Sequence, residues 1–252
     1  MLRINNWTGR FGNNVLQIIR ALHYAINNNH YIVLFPKHRL FNSQKIIIDL
    51  NKINKITIVD SFFNLKNFFL NDPSPYEMKK IFQTYIYPLL VISLEENNDY
   101  LNTLFIHIRG GDIFSSCPHS TYVQPPLVYY TSVINSYENV AVISEDKKNP
   151  CVNELLKNNN VVFHSNTLEK DIQLLCSASN LMIGFGTFGF LIYLMSSKLK
   201  NIYIPSYFIK ELPQGDWGND VNLYIIDLPD YINVGEWKNT LEQRNFMLTY
   251  SF

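Results

Sequence analysis

Short apolar runs alternate with stretches of helical period along almost the whole chain. Runs of strand type occupy residues 2–4, 31–35, 46–48, 56–59, 104–108, 140–144, 161–163, 181–184 and 202–204. Each is only a few residues long and is bounded by polar residues, glycine or proline, as strands are. Between the first two runs, Val15, Ile18, Ile19, Leu22 and Ile26 follow one another at intervals of three, one, three and four. That spacing lines one face of an α-helix. A second helix is predicted over residues 126–136, with Pro126 near its start, where a missing N–H costs little. A third covers residues 168–177, with Thr167 and Lys170-Asp171 in its opening turn, and the segment Gly184 to Gly189 opens an apolar helix. Strands separated by helices predict an α/β protein with parallel sheet.

The least regular part lies between Asn71 and Tyr100. Asn71-Asp72-Pro73-Ser74-Pro75, then Pro88, then Glu95-Glu96-Asn97-Asn98-Asp99 read as a helix, a connector and a polar linker. A fresh strand–helix alternation starts at Leu104, which predicts a boundary near residues 99–102. The expectation is two Rossmann-like domains, residues 1–100 and 101–252, with parallel sheets facing a central cleft. A single extended sheet is the alternative.

Composition narrows the function classes. The 21 basic and 21 acidic side chains balance, which removes the electrostatic case for nucleic acid or an anionic membrane. Aromatic residues make up 14 % and charged residues 17 %, a composition that packs a core and excludes disorder. Cys117, Cys151 and Cys176 are scattered, odd in number and without metal-type spacing, so they read as reduced thiols. Met1-Leu2-Arg3-Ile4-Asn5-Asn6 lacks the pattern of a signal peptide, and no apolar stretch approaches the roughly 18–20 residues that span a bilayer. A cytoplasmic protein without a transmembrane segment is expected.

Four blocks carry candidate chemistry. In Phe105-Ile106-His107-Ile108-Arg109-Gly110-Gly111-Asp112 an apolar strand ends in polar groups and two glycines, and strand ends are where open α/β sheets place their ligands. Arg109 offers a planar fork of donors suited to phosphate oxygens; a pairing of Arg109 with Asp112 that merely clamps a turn is the alternative. Gly9-Arg10-Phe11-Gly12-Asn13-Asn14 lies between the first strand and a helix predicted to begin near Asn14. There, free N–H groups meet an anion or a sugar hydroxyl. Gly184-Phe185-Gly186-Thr187-Phe188-Gly189 spells the dinucleotide fingerprint, but it follows a late strand, and the next strand ends in Pro205-Ser206 rather than an acid. What survives is a glycine turn and a helix start able to hold a diphosphate, not a nicotinamide. Ser144-Glu145-Asp146, at another strand end, is placed to accept hydrogen bonds from a base or ribose, or to form a solvated loop.

Taken together the blocks resemble one family. Gly9-Arg10-Phe11-Gly12-Asn13 with Gln17 is similar to the N-terminal glycine motif of α-1,2-fucosyltransferases and protein O-fucosyltransferases, and His107-Ile108-Arg109-Gly110-Gly111-Asp112 resembles their H-x-R-x-G-D block. Tyr122-Val123-Gln124-Pro125-Pro126 with Tyr129-Tyr130 is similar to the segment that follows in the bacterial α-1,2 group. Val142-Ile143-Ser144-Glu145-Asp146 and the stretch from Asp171 to Leu194 resemble its later motifs. The order is right over nearly the whole chain. The arginine pair of the central block is reduced to Arg109, and the aromatic pair of the last motif is replaced by Gly189-Phe190.

The resemblance implies a GT-B glycosyltransferase that inverts configuration, uses a GDP-sugar (GDP-fucose above all) and needs no cofactor or metal. The sequence has no D-x-D triplet, the metal–diphosphate clamp of the other major architecture. In the implied site Arg109 and Asn13 are catalytic. Arg109 meets the leaving diphosphate with Gly186, Thr187 and Phe188, and His107 supports the donor or orients Arg109. Ser144, Glu145 and Asp146 lie near the nucleoside. Gly9, Arg10, Phe11 and Gly12 accompany Asn13, and Asp112 orients Arg109 or shapes the turn. The implied partners are a nucleotide sugar and a glycan or glycoconjugate acceptor met by loops such as residues 38–44 and 62–76. A non-catalytic nucleotide- or glycan-binding module of the same fold is the alternative, as is a transferase using another nucleotide sugar.

Overall fold

The computed structural model describes residues 1–49, the backbone of 57–59, and residues 72–94, 100 and 102–251. The start of the strand predicted at residue 56, residues 62–71 of the expected acceptor loop and the polar linker 95–99 lie outside the described residues, as do residues 99 and 101 of the predicted boundary. The chain forms two compact units. The first comprises Met1–Ser93, Phe190–Met195 and Pro213–Gly218, and the second Leu94–Gly189, Ser196–Leu212 and Asn219–Phe252. The chain therefore leaves the first unit after Ser93 and returns to it twice.

The first unit contains β1 (Leu2–Ile4), α1 (Phe11–Asn27), β2 (Ile32–Leu34), β3 (Lys45–Ile47), β4 (Thr57–Val59) and α2 (Pro75–Ile81). Its sheet has the order β3-β2-β1-β4, with β1 parallel to both neighbours. β2 and β3 run antiparallel, which corrects the expectation of a purely parallel sheet. The cause is chain length: ten helix-free residues, 35–44, join the two strands, and a parallel return needs a crossover of about a dozen or more. On α1 the predicted stripe is buried at Val15, Ile18, Ile19 and Leu22, while Ile26 in the last turn stays 42 % exposed. Both returning segments are tied to this unit by hydrogen bonds. The Gln83 amide donates to the carbonyls of Leu194 and Met195 (2.9 and 3.3 Å), and the Tyr76 N–H donates to Asp216 (2.9 Å).

The second unit contains β5 (Thr103–His107), α3 (Leu127–Ile134), β6 (Asn139–Ile143), α4 (Pro150–Leu155), β7 (Val161–His164), α5 (Leu168–Cys176) and β8 (Asn180–Ile183). It continues with the start of α6 (Thr187–Met195), then β9 (Asn201–Pro205), α7 (Ser206–Ile209), β10 (Asn222–Ile226) and α8 (Leu241–Thr249). Its sheet is parallel throughout, in the order β10-β9-β8-β5-β6-β7. β6 and β7 step outward on one side of β5, and β8, β9 and β10 on the other. This is a doubly wound, Rossmann-like arrangement whose direction reverses between β5 and β8. The predicted strands here coincide with observed ones to within about a residue. β10 was not anticipated: as an edge strand it leaves Tyr224 45 % and Ile225 52 % exposed, so it carries no buried-strand pattern.

The amino ends of three strands are fastened by an asparagine ladder. Asn222 donates to Asn201 (3.0 Å) and Asn201 to Asn180 (2.7 Å), in the register of the sheet. Beyond the opposite ends of the strands, the segment after β10 braces the loop that follows β5. The Trp237 indole donates to the carbonyl of Ile113 (2.8 Å), its N–H to Ser120 (3.1 Å), and the Asn239 amide to Ser115 (2.8 Å). No helix among the described residues is long and apolar enough to cross a membrane.

Candidate functional site

β5 ends at His107, in register with Ile143 of β6 and Ile183 of β8, so the residues after it emerge at the point where the strand order reverses. Crevices at such points, outside the carboxyl ends of the strands, bind ligands in open α/β sheets. Gly110 and Gly111 let the chain lie directly on the turn after β6. Gly111 has φ +65°, and a Cβ there would run into the Glu145 carboxylate, as one on Gly110 would into that of Asp146. The Gly111 N–H donates to both oxygens of Asp146 (3.3 and 3.2 Å), and the Lys148 N–H donates to the same carboxylate (2.9 Å). Asp146 is thus a brace between two loops. Glu145 is exposed beside it, and Ser144 is buried with its Oγ lacking a hydrogen-bond partner.

Arg109 is the centre of the arrangement, its side chain 17 % exposed. Nη2 donates to both oxygens of Asp112 (3.2 Å each), and Cζ sits 4.1 Å from the ring centroid of Tyr122. Nε is buried without a partner. A buried donor left unpaired costs about 1–3 kcal/mol, more when it is charged. On its Nη1 side the guanidinium meets Gly186, where a Cβ would lie 3.5 Å from Nη1. Gly186 has φ +134°, outside the range of ordinary side chains, and α6 starts at the next residue. The first N–H groups of a helix have no partner within it and carry the positive end of its dipole. The first turn of α6 holds no acidic residue to offset that charge. The Arg109 guanidinium and the positive end of α6 thus both adjoin the Gly186 turn.

His107 and Phe188 pack ring to ring, with centroids 4.8 Å apart. Burial, and secondarily the charge of Arg109, push the His107 pKa down to about 4, so the imidazole is neutral at neutral pH. Gln124 is fully buried behind the site. Its Nε2 donates to the carbonyls of Tyr122 and Phe185 (3.3 Å each), and its Oε1, close against Gly184, has no partner. Among the described residues no group of three His, Cys, Asp or Glu side chains is placed to hold a metal ion.

The structure therefore brings together His107, Arg109, Asp112, Ser144, Glu145, Asp146, Gly186, Thr187 and Phe188 within the second unit. Gly9, Arg10, Phe11, Gly12 and Asn13 belong to the first. α1 begins at Phe11 and not near Asn14, so only Gly9 and Arg10 of that set precede the helix. Phe11 is buried, with its ring stacked on His38 at 5.1 Å, which makes it a packing residue. The Asn13 amide occupies the space a Cβ on Gly9 would take. Tyr122 and Gln124 had no assigned role from sequence. The available signal was an aromatic and an amide immediately before Pro125-Pro126, whose fixed φ sets the direction of the chain.

Comparison of the chain with protein-family models, curated proteins and solved structures gives no match.

Proposed function

We propose that this protein is an inverting, metal-independent glycosyltransferase that moves a sugar, fucose from GDP-fucose, to a hydroxyl of a glycan with α-1,2 linkage. The observation that carries the reading is the Arg109 guanidinium at the reversal of a doubly wound sheet. It has one edge on Asp112, Nε without a partner, and Nη1 facing Gly186 at the start of α6. A diphosphate seated there meets a planar cation on one side and helix N–H groups on the other. The motif resemblance supplies the nucleotide and the sugar.

In the proposed reaction the bond between the anomeric carbon and the diphosphate oxygen breaks, and its electron pair stays on that oxygen. Arg109 and the first turn of α6 meet the charge that develops, which is where preorganised donors accelerate a reaction. The acceptor oxygen forms the new bond to the anomeric carbon from the opposite face of the sugar, and its proton passes to solvent water. Asp112 is held by Arg109 and is not assigned as the base. Neutral His107 supports the donor beside Phe188, and exposed Glu145 lies toward the nucleoside. The proposal includes a GT-B organisation, with the donor held by the second unit and the acceptor by the first through Asn13. Incubation with GDP-fucose in EDTA, with and without fucose-accepting oligosaccharides, tests it. Transfer or donor hydrolysis supports the reading, and GDP binding without turnover favours a non-catalytic binding module.

A further inference from the structure

We infer that Tyr122 is a positioning residue for the anion-binding cation. Its ring holds the plane of the Arg109 guanidinium so that Nη1 is presented to the Gly186 turn. The inference rests on the reading above, that a diphosphate lies between Arg109 and the start of α6.

A guanidinium donates only in its own plane, so the tilt of that plane decides whether an anion can be gripped by two parallel hydrogen bonds. Two contacts govern the tilt. On one edge Asp112 takes Nη2, but its side chain is 56 % exposed and it sits on a single short turn. Exposed ion pairs of this kind hold geometry weakly. On the face, the Tyr122 ring lies 4.1 Å from Cζ. That ring is itself fixed. Its neighbours Phe185 and His119 meet it nearly edge-on, with centroids 5.7 and 5.4 Å away and interplanar angles of 80° and 78°. Its N–H donates to the His119 carbonyl (3.1 Å), and its own carbonyl accepts from buried Gln124 (3.3 Å).

Phe185 is the residue before Gly186, so one ring touches both the cation and the neighbour of the glycine that faces it. An anion arriving from the Gly186 side uses the edge of the guanidinium and leaves its face to Tyr122. Without the ring, Asp112 alone directs Arg109, and Asp112 is an anion that competes for the same cation.

Titration of wild type, Tyr122→Phe and Tyr122→Leu with GDP and inorganic pyrophosphate tests this, with guanosine followed by saturation-transfer NMR. The Phe variant keeps the ring and is expected to stay within about threefold of wild type for all three ligands. The Leu variant is expected to lose about tenfold for GDP and pyrophosphate and nothing for guanosine, which has no phosphate for Arg109 to grip. Equal loss for guanosine and GDP, or no loss for either diphosphate, overturns the inference. Wild-type binding of pyrophosphate without a preference for GDP removes the nucleotide assignment alone, and the pyrophosphate result then decides the role of Tyr122. Binding of neither diphosphate by wild type removes the reading and the inference together.

Discussion

Arg109 and Gly186 stand face to face: a methyl group on Gly186 would lie 3.5 Å from Nη1 of the guanidinium. Gly186→Ala therefore acts twice. It forces a side chain into φ +134°, a strain on the order of 1–3 kcal/mol, and it narrows the approach to the cation. The expected outcome is a loss of GDP affinity of about tenfold or more, read by calorimetry. Unchanged affinity would mean that the ligand does not enter from the Gly186 side.

Arg109→Ala is expected to lower turnover by about a hundredfold or more, the usual effect of removing one donor to developing negative charge. Its folding should change little, because the Asp112 partner is largely exposed and the unpaired Nε disappears with the side chain. Arg109→Lys is expected to fail as well, since a point charge cannot reproduce the planar fork. Melting temperature beside steady-state kinetics separates the two effects. An unfolded Arg109→Ala variant would show that the residue clamps a turn.

His107 gives a pH signature. In the folded chain its pKa is about 4 against an ordinary 6.5. Between those values the unfolded chain takes up a proton that the folded chain refuses, so this contribution is complete above pH 6.5 and is lost as pH falls toward 4. The shift is worth on the order of 3 kcal/mol. His107→Asn should flatten the decline of melting temperature across that window relative to wild type. Parallel wild-type and variant curves would contradict the assignment.

Trp237→Phe tests the brace behind the Arg109 loop. The substitution leaves the Ile113 carbonyl without its 2.8 Å donor in a buried site, at a cost of about 1–3 kcal/mol. Chemical denaturation should register that loss, and GDP affinity should fall with it because the same segment fixes residues 113–120. Loss of stability with full affinity would confine Trp237 to the core.

Much of the second unit was legible in the sequence because its central strands are buried on both faces and read as unbroken apolar runs, as in Leu104, Phe105 and Ile106. Three of the four polar blocks stood out because each interrupts such a run at its carboxyl end. What was hidden depends on contacts distant in sequence. β10 is half exposed, the β2–β3 pairing is set by the length of a loop, and the return of residues 190–195 to the first unit depends on Gln83. Tyr122 follows the same rule: its place before Gln124 and Pro125-Pro126 marks the segment, but not that its ring lies on a guanidinium thirteen residues earlier. Phe11 shows the opposite: its glycine-flanked position suggests a loop residue, yet it opens α1 and its buried ring packs on His38 and Phe41.

The most direct measurement of the central claim is a titration of the wild-type protein with GDP, UDP, CDP and ADP in EDTA, repeated with Arg109→Ala. The account predicts that GDP binds in preference to the other three without a divalent cation and that Arg109→Ala abolishes most of that affinity. Binding of UDP alone, binding only when Mn²⁺ is restored, or GDP affinity indifferent to Arg109 would contradict it.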